Sequence, residues 1–403
     1  MRLKIVHIVD YLMPKMGYQE LLLPKWNAKH DHDVHIITSD RFFPVPNYDQ
    51  TWGKLLGPRI CGPSVSDLNH VTIHRLPCVW EWKGRTWMSG LENKIINIRP
   101  DVIFCHASGS PTAIRVALFS KKHGLPLLMD NHMLEIAKNN KLHGHIYYAL
   151  LKLATRLVLI KRVYRFLGVA EECCDFLELE QCIPKHLIEL LPLGVDTDVL
   201  MNEDVAGSEL RVRLNIPARA KVVLQTGKLS DDKGPHLLSQ AIAPLMKDDS
   251  DIWLVFLGAG DATYLKKVFK PLDEHGVMGR ARIIPLVPFA EIAKYYSMSD
   301  LCVYPKAASM SCLEAAACER CVIMTDLPAN KWRAEKGVGL CFRNEDVDEL
   351  RVVIRRMIND NNGRVKIGKQ ARASVLENFS YDKIAKQSEE LMYQAVCSKI
   401  KVS

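Results

Sequence analysis

Short apolar runs rich in β-branched residues recur along this chain, each closing on a small, polar or turn-forming residue and most leading into a stretch of helical character. In the first half they are RLKIVHIVD (2–10), DVHIITSD (33–40), DVIFCHAS (101–108) and LPLLMDNHM (125–133). In the second they are KVVLQTG (221–227), DIWLVFLGAGD (251–261), RIIPLVP (282–288), LCVYP (301–305) and GVGLCF (337–342). Such alternation specifies parallel sheets whose strands are joined by covering helices, hence an α/β class. With 403 residues the chain exceeds what one core usually organises, so two domains of about 200 residues are expected. The polar stretch Met201 to Glu209 reads as the linker between them, and three helical stretches close the chain.

The stretch Leu301 to Asp326 reads as strand, loop and helix, and it is where chemistry is expected. A helix entered from the small, polar loop KAASMS turns unpaired N–H groups and the positive end of its dipole toward whatever lies in front, which suits a phosphate. Ser309 and Ser311 add hydroxyls there, and Glu314, one turn in, is placed to accept two hydrogen bonds from neighbouring hydroxyls, as on a ribose. The same four residues, Ser311 to Glu314, also form a capping box in which Glu314 only reaches back to the cap N–H. After KVVLQTG, Lys228 and Lys233 flank the Asp231-Asp232 turn; they read either as cations for a diphosphate or as solvated loop lysines. Gly258-Ala-Gly260 follows the next strand and permits close approach to the backbone.

In the first half, Gly17 lies in the loop after the first strand, where open parallel sheets bind ligands. His106 and His132 each end a buried run, so both are expected in that crevice, with a pKa suited to proton transfer or phosphate contact. Between Arg41 and Ser66 runs a long segment of Pro, Gly and aromatics including Tyr48, followed by Trp80, Trp82 and Trp87. These rings either form the acceptor side of a cleft, because sugars offer apolar faces to aromatics, or pack over the sheet edge.

HGHIYYALLKLATRLVLIKRVYRFLG (143–168) reads as one long apolar and basic helix. Lys152 and Arg156 then fall on one side and Lys161 and Arg165 nearly opposite, which leaves no clean membrane-lying face unless the helix breaks near Leu159. The formal charge of +8 lies mainly in the first half, where Lys and Arg exceed Asp and Glu by 6 against 2 in the rest. That suits an anionic ligand or an anionic membrane surface and is too diffuse for a nucleic-acid stripe. No apolar segment approaches about 18 residues, the opening lacks the marks of a signal peptide, and the 12 cysteines show no framework spacing, so a cytoplasmic chain with reduced thiols is expected, peripheral on a membrane at most.

Six segments in order resemble the retaining GT-B glycosyltransferases of the glycosyltransferase 4 family: GKLSDDKGPHLLSQA (227–241), LVFLGAG (254–260), YYSMSDLCVYP (295–305), LEAAACERCVIMTD (313–326), PLGVD (192–196) and ENFSYDKIAKQSEELMY (377–393). The resemblance implies two Rossmann-like domains facing across a cleft: residues 1–195 on the acceptor side, 196–380 holding a nucleoside-diphosphate sugar, and a closing helix at about 381–400 packing back onto the first. It also implies that Gly227, Lys228 and Lys233 meet the diphosphate, as do Ser309, Met310 and Ser311 through N–H groups. Glu314 would take the ribose, Gly258 lie near the donor, Val287 supply a backbone edge to the base, Gly17 approach the phosphates, and His132 or His106 stand near the donor sugar. The acceptor would be a glycan or a lipid-linked acceptor, the donor nucleotide UDP with GDP open, and no cofactor or metal would be required. The D-x-D matches Asp31/Asp33, Asp196/Asp198 and Asp249/Asp251 do not follow strands as a metal-diphosphate site needs.

Two departures from the family pattern stand out. Lys306 occupies the position of the family's first Glu, in a segment about three residues short, and Lys228 replaces an Arg. They motivate an alternative, a nucleotide-sugar-binding scaffold without turnover; a nucleotide-sugar 2-epimerase on a similar fold is the third reading.

Overall fold

The structure, a computed structural model, describes residues 1–106, 108–133 and 149–400. It forms two compact units, the first being Met1–Gly194 together with the segment from Tyr381 on, the second Val195–Ser380. No helix among the described residues is long and apolar enough to cross a membrane.

In the first unit, β1 (Lys4–Ile8), β2 (Asp33–Ser39), β3 (Ser64–Leu68) and β4 (Val71–Leu76) precede a hairpin of β5 (Cys78–Trp82) and β6 (Arg85–Met88). Then come β7 (Val102–Cys105), β8 (Leu127–Asn131), β9 (Arg165–Gly168) and β10 (Ile188–Leu190). The main sheet has the order β10-β9-β8-β7-β1-β2-β4-β3, parallel throughout except for β3 against β4. Its central strands are apolar on both faces, with Ile5, Val6, Ile8 and all of Val102–Cys105 fully buried, because helices cover both sides. Helix α1 (Gln19–Lys29) packs against the closing helix Tyr381–Ile400, which therefore belongs to this unit although 186 residues of the other intervene.

The long helix anticipated over 143–168 falls partly outside the described residues, and its remainder is shorter than expected. Helical turns run over 149–159, widening into a π-type turn at Thr155–Leu159, and Arg165–Gly168 is the strand β9 instead. The stop is a side chain: Arg162 Nη1 donates to the carbonyls of Leu157 (3.0 Å) and Val158 (2.7 Å), taking two of the last acceptors. Beyond it, Phe166 and Leu167 bury completely between β8 and β10, a gain that a helix extended into solvent would not provide. Lys161 and Arg165 therefore do not share a helix with Lys152 and Arg156.

The second unit holds β11 (Lys221–Thr226), β12 (Ile252–Leu257), β13 (Ala281–Ile284), β14 (Leu301–Tyr304), β15 (Cys321–Thr325) and β16 (Leu340–Phe342), all parallel, in the order β13-β12-β11-β14-β15-β16. Alternate residues feed two cores, Val222 and Leu224 into one and Val223 into the other, so each face is closed by helices. The linker expected at Met201–Glu209 is instead the entry to a helix, Asp204–Arg213. Gly207 makes it possible: a Cβ there would stand 2.7 Å from the backbone of Ser297, so only glycine lets the helix lie this close. Leu210 is buried, and Arg211 ties the helix to the Met298 carbonyl and to Asp300.

Candidate functional site

Numbered within its own sheet, the second unit reads three-two-one-four-five-six, so strand order reverses between β11 and β14, and in such sheets ligands lie beyond the carboxyl ends of that pair. The loop Gly227 to Gly234 leaves β11 there, and Pro305 to Met310 leaves β14. The backbone beside them is close-packed: a Cβ on Gly258, at φ +152°, would meet the Gly227 carbonyl oxygen at 1.8 Å, so that position requires glycine, while Gly227 is favoured by its own φ of +115°.

Charge in these loops is unevenly committed. Asp231 pairs with Lys267 (2.8 Å) and Lys306 (3.2 Å), whose hydrogen bonds push its carboxyl down to about 2. Lys306 also reaches Glu345, just after β16, at 3.1 Å, so it clasps the β14 loop to the β11 loop through Asp231 and to the β16 loop through Glu345. Lys228 is exposed and Lys233 half-buried, and among the described residues neither makes an ion pair. Two cations at a sheet's switch point are thus available to an anion from outside.

Glu314 sits in α2 (Ser311–Ala317) and does not cap it: Met310 is the N-cap, with no side-chain bond. Its Oε2 accepts from the Tyr296 hydroxyl at 2.6 Å. Thr226 Oγ1, at the end of β11, lies 3.0 Å from the hydroxyls of both Tyr296 and Tyr304, and Tyr304 donates to the Ser311 carbonyl at 2.7 Å. Burial raises the Glu314 carboxyl above its ordinary value, and the Tyr296 bond offsets this only in part. This hydroxyl chain fixes the carboxylate, and Oε1 keeps its acceptor capacity. Arg333 braces the turn in front by donating to the Ser309 carbonyl at 2.9 Å. Ser309 N–H donates to Ala307 and Ser311 N–H to Ser309 Oγ, so two of the three anticipated backbone donors are engaged locally. Val287 packs on the core after β13.

In the first unit the order reverses between β1 and β7. Gly17, at φ +68°, lies in the loop after β1, His106 follows β7, and His132 follows β8 on the neighbouring strand. Asn131 clasps the turn by donating to the Met133 carbonyl and accepting its N–H. His106 Nδ1 lies 2.6 Å from Asp130 Oδ2, and His132 Nε2 3.4 Å from the same oxygen. Donors of these three residues fall within 4.8 Å of one another. A separation of 2.6 Å is nonetheless that of a hydrogen bond; donors around one ion at about 2.1 Å stand about 3 Å or more apart.

The tryptophans lie on the β5–β6 hairpin with 47% (Trp80), 56% (Trp82) and 42% (Trp87) of their surface exposed, so they are not core. Trp80 pairs with Trp87 across the hairpin, Lys83 stands over the Trp82 ring and Arg115 over that of Trp87. Tyr48 is buried within its own loop, its hydroxyl donating to the Gly57 carbonyl. Sequence reasoning passed over Tyr296, Thr226, Tyr304, Arg333, Asp130 and His7. Only Asp130 carried a signal, standing two residues before His132 at the end of the same buried run.

Residues 208–374 match the family model described as glycosyl transferases group 1, and residues 25–199 match that described as glycosyltransferase family 4. Among curated proteins, the chain is 28% identical over 260 residues to D-inositol 3-phosphate glycosyltransferase 1 of Catenulispora acidiphila, covering 60% of this chain and 61% of that one. It is 27% identical over 191 residues to spore coat protein SA of Bacillus subtilis, covering 45% and 50%. The match thus spans about half to three fifths of these relatives' length. Among solved structures, sucrose-phosphate synthase from Thermosynechococcus elongatus superposes with a TM-score of 0.70 at 18% identity over 98% of this chain and 100% of that one. HepE of Anabaena, in complex with UDP and glucose, does so with a TM-score of 0.70 at 17% identity over 98% and 100%.

Proposed function

The chain belongs to the GT-B glycosyltransferases of the glycosyltransferase 4 family, and from that premise we propose that it moves a sugar, with retention, from a nucleoside-diphosphate sugar to a glycan or lipid-linked acceptor. UDP is the favoured base and GDP the second. The observation that carries the reading is the switch point of the second unit, where Lys228 and Lys233, free of carboxylate partners among the described residues, lie with a Glu314 held by Tyr296.

In that reading the lysines and the Met310 N–H take the diphosphate, Glu314 takes the ribose hydroxyls, and the anomeric carbon passes through an oxocarbenium-like state as the bond to the diphosphate breaks. No protein carboxylate is assigned as nucleophile. The departing phosphate oxygen takes the proton of the attacking hydroxyl, and no metal or other cofactor is needed. The test is release of nucleoside diphosphate from a donor panel with candidate acceptors, in the presence of a chelator. Acceptor-dependent release that survives chelation, with the product anomer unchanged, supports the reading. Tight donor binding with no release in any mixture supports the scaffold alternative, which the commitment of Lys306 to Asp231 and Glu345 favours.

The exposed Trp80 and Trp82 stand as acceptor contacts, since sugar faces stack on such rings. Trp80→Ala with Trp82→Ala is expected to raise acceptor KM about tenfold at unchanged donor KM, and an unchanged acceptor KM removes them from the site. An anionic membrane surface is the proposed partner of the helical turns 149–159, where Leu150, Leu153 and Leu157 share an exposed face. Flotation with anionic liposomes at low salt is expected to carry the protein, and its absence there removes the contact.

A further inference from the structure

Beneath His132, side chains of the first unit join end to end. Asp130 Oδ2 meets His132 Nε2 and His106 Nδ1, His106 Nε2 lies 3.2 Å from His7 Nδ1, and His7 Nε2 lies 3.2 Å from Asn27 Oδ1. Asn27 Nδ2 donates at 2.7 Å to Glu389 of the closing helix, which is 2.9 Å from His30 Nδ1, and His30 Nε2 reaches Asp382 at 3.0 Å. His7, Asn27 and Asp130 are fully buried, His106 and Glu389 nearly so. The chain thus runs from a part-exposed histidine at the carboxyl end of the sheet to the helix covering α1.

Hydrogen-bond chemistry fixes where its protons are. Glu389 only accepts, so it turns the Asn27 amide until Nδ2 faces it and Oδ1 faces His7; His7 Nε2 must then carry a proton. Asp130 only accepts, so His106 Nδ1 carries one too. A single proton bridges the two imidazoles. Burial drives the His7 pKa well below its ordinary value, so His7 stays a neutral link in the chain, with its Nε2 proton on Asn27. Burial pushes the Asp130 carboxyl up, but the charges of His106 and His132 outweigh it and hold it well below the usual range. Burial likewise lowers His132, and Asp130 with Glu20 of α1 outweighs it, raising it to about 9.

We propose that Asp130 is a positioning residue that keeps His132 doubly protonated, with Nε2–H on the carboxylate and Nδ1–H offered to an oxygen of the bound sugar or its phosphate, and that Glu389 supports it through Asn27, His7 and His106. The proposal rests on the reading of His132 as facing the donor. The titratable groups facing it are Asp130, His106 and Glu20, with His30 and His32 on Glu389 at the far end. Because a raised histidine keeps its charge until pH passes its pKa, the imidazolium is present at neutral pH and lost as pH rises through about 9.

The test labels the histidine ring nitrogens of the full chain and follows them by NMR against pH, with folding checked by melting temperature. In the unchanged protein His132 titrates near 9; Asp130→Asn lowers that midpoint by two units or more and moves the alkaline limb of kcat with it, at little change in donor KM. Glu389→Gln, whose amide can present either end, alters the His7 and His106 nitrogen shifts and moves the same limb less. A His132 midpoint unmoved in Asp130→Asn overturns the proposal, and unmoved His7 and His106 signals in Glu389→Gln overturn its remote half. The titration needs no substrate, so an inactive protein would contradict the proposed reaction without touching this result.

Discussion

Replacing His132 by alanine lowers kcat by about two to four orders of magnitude, the range in which a positioned proton donor contributes. The side chain is held on one nitrogen by Asp130 and is about one-third exposed, at the carboxyl end of a strand beside the switch point of the first unit. In the proposed reaction the role of a charged imidazole is to stabilise negative charge building on the donor as the bond to the diphosphate breaks, so its loss is expected in kcat more than in KM. The protein should still fold, because the turn is kept by Asn131 and Met133 rather than by the ring. Steady-state turnover at saturating donor decides the matter, and a kcat within twofold of the unchanged protein would remove His132 from the chemistry.

Glu314→Ala weakens donor binding by about 1 to 3 kcal/mol, the cost of losing hydrogen bonds to a charged group. Two costs combine in this variant. The carboxylate no longer accepts from the ligand, and the buried Tyr296 hydroxyl loses its acceptor, so melting temperature should fall as well. Lys233→Ala gives the separating control. Its ammonium makes no ion pair among the described residues, so donor affinity is expected to fall by a similar amount with melting temperature unchanged. Unchanged affinity in both variants would dissolve the donor site as drawn.

The parallel α/β architecture was readable because buried strands announce themselves: DVIFCHAS and KVVLQTG carry continuous apolar runs that only a sheet covered on both faces uses. Where reading failed, a contact remote in sequence decided the outcome. RFLG continues an apolar, basic run and looks helical by composition, yet β8 and β10 on either side make it a strand. The polar entry to Asp204–Arg213 looks like a linker until Gly207 meets Ser297, ninety residues further on. The site shows the same division. His106, His132, Lys228 and Glu314 are visible as polar groups at the ends of apolar runs, a local pattern. Their partners are not, because Tyr296 and Thr226 sit in apolar surroundings that sequence cannot tell from core, and His7 looks like any interior position of a strand. The capping-box pattern at Ser311 to Glu314 was equally available, and the structure resolves it through Tyr296, a residue outside the motif.

Calorimetric titration of the full chain with UDP, GDP, ADP and their common sugars tests whether the second unit holds a nucleoside-diphosphate sugar between Lys228, Lys233 and Glu314. One base family is expected to bind, UDP first, with affinity lost about tenfold or more in Glu314→Ala and in Lys233→Ala. No heat from any of these ligands, or binding that both variants leave intact, would contradict that expectation.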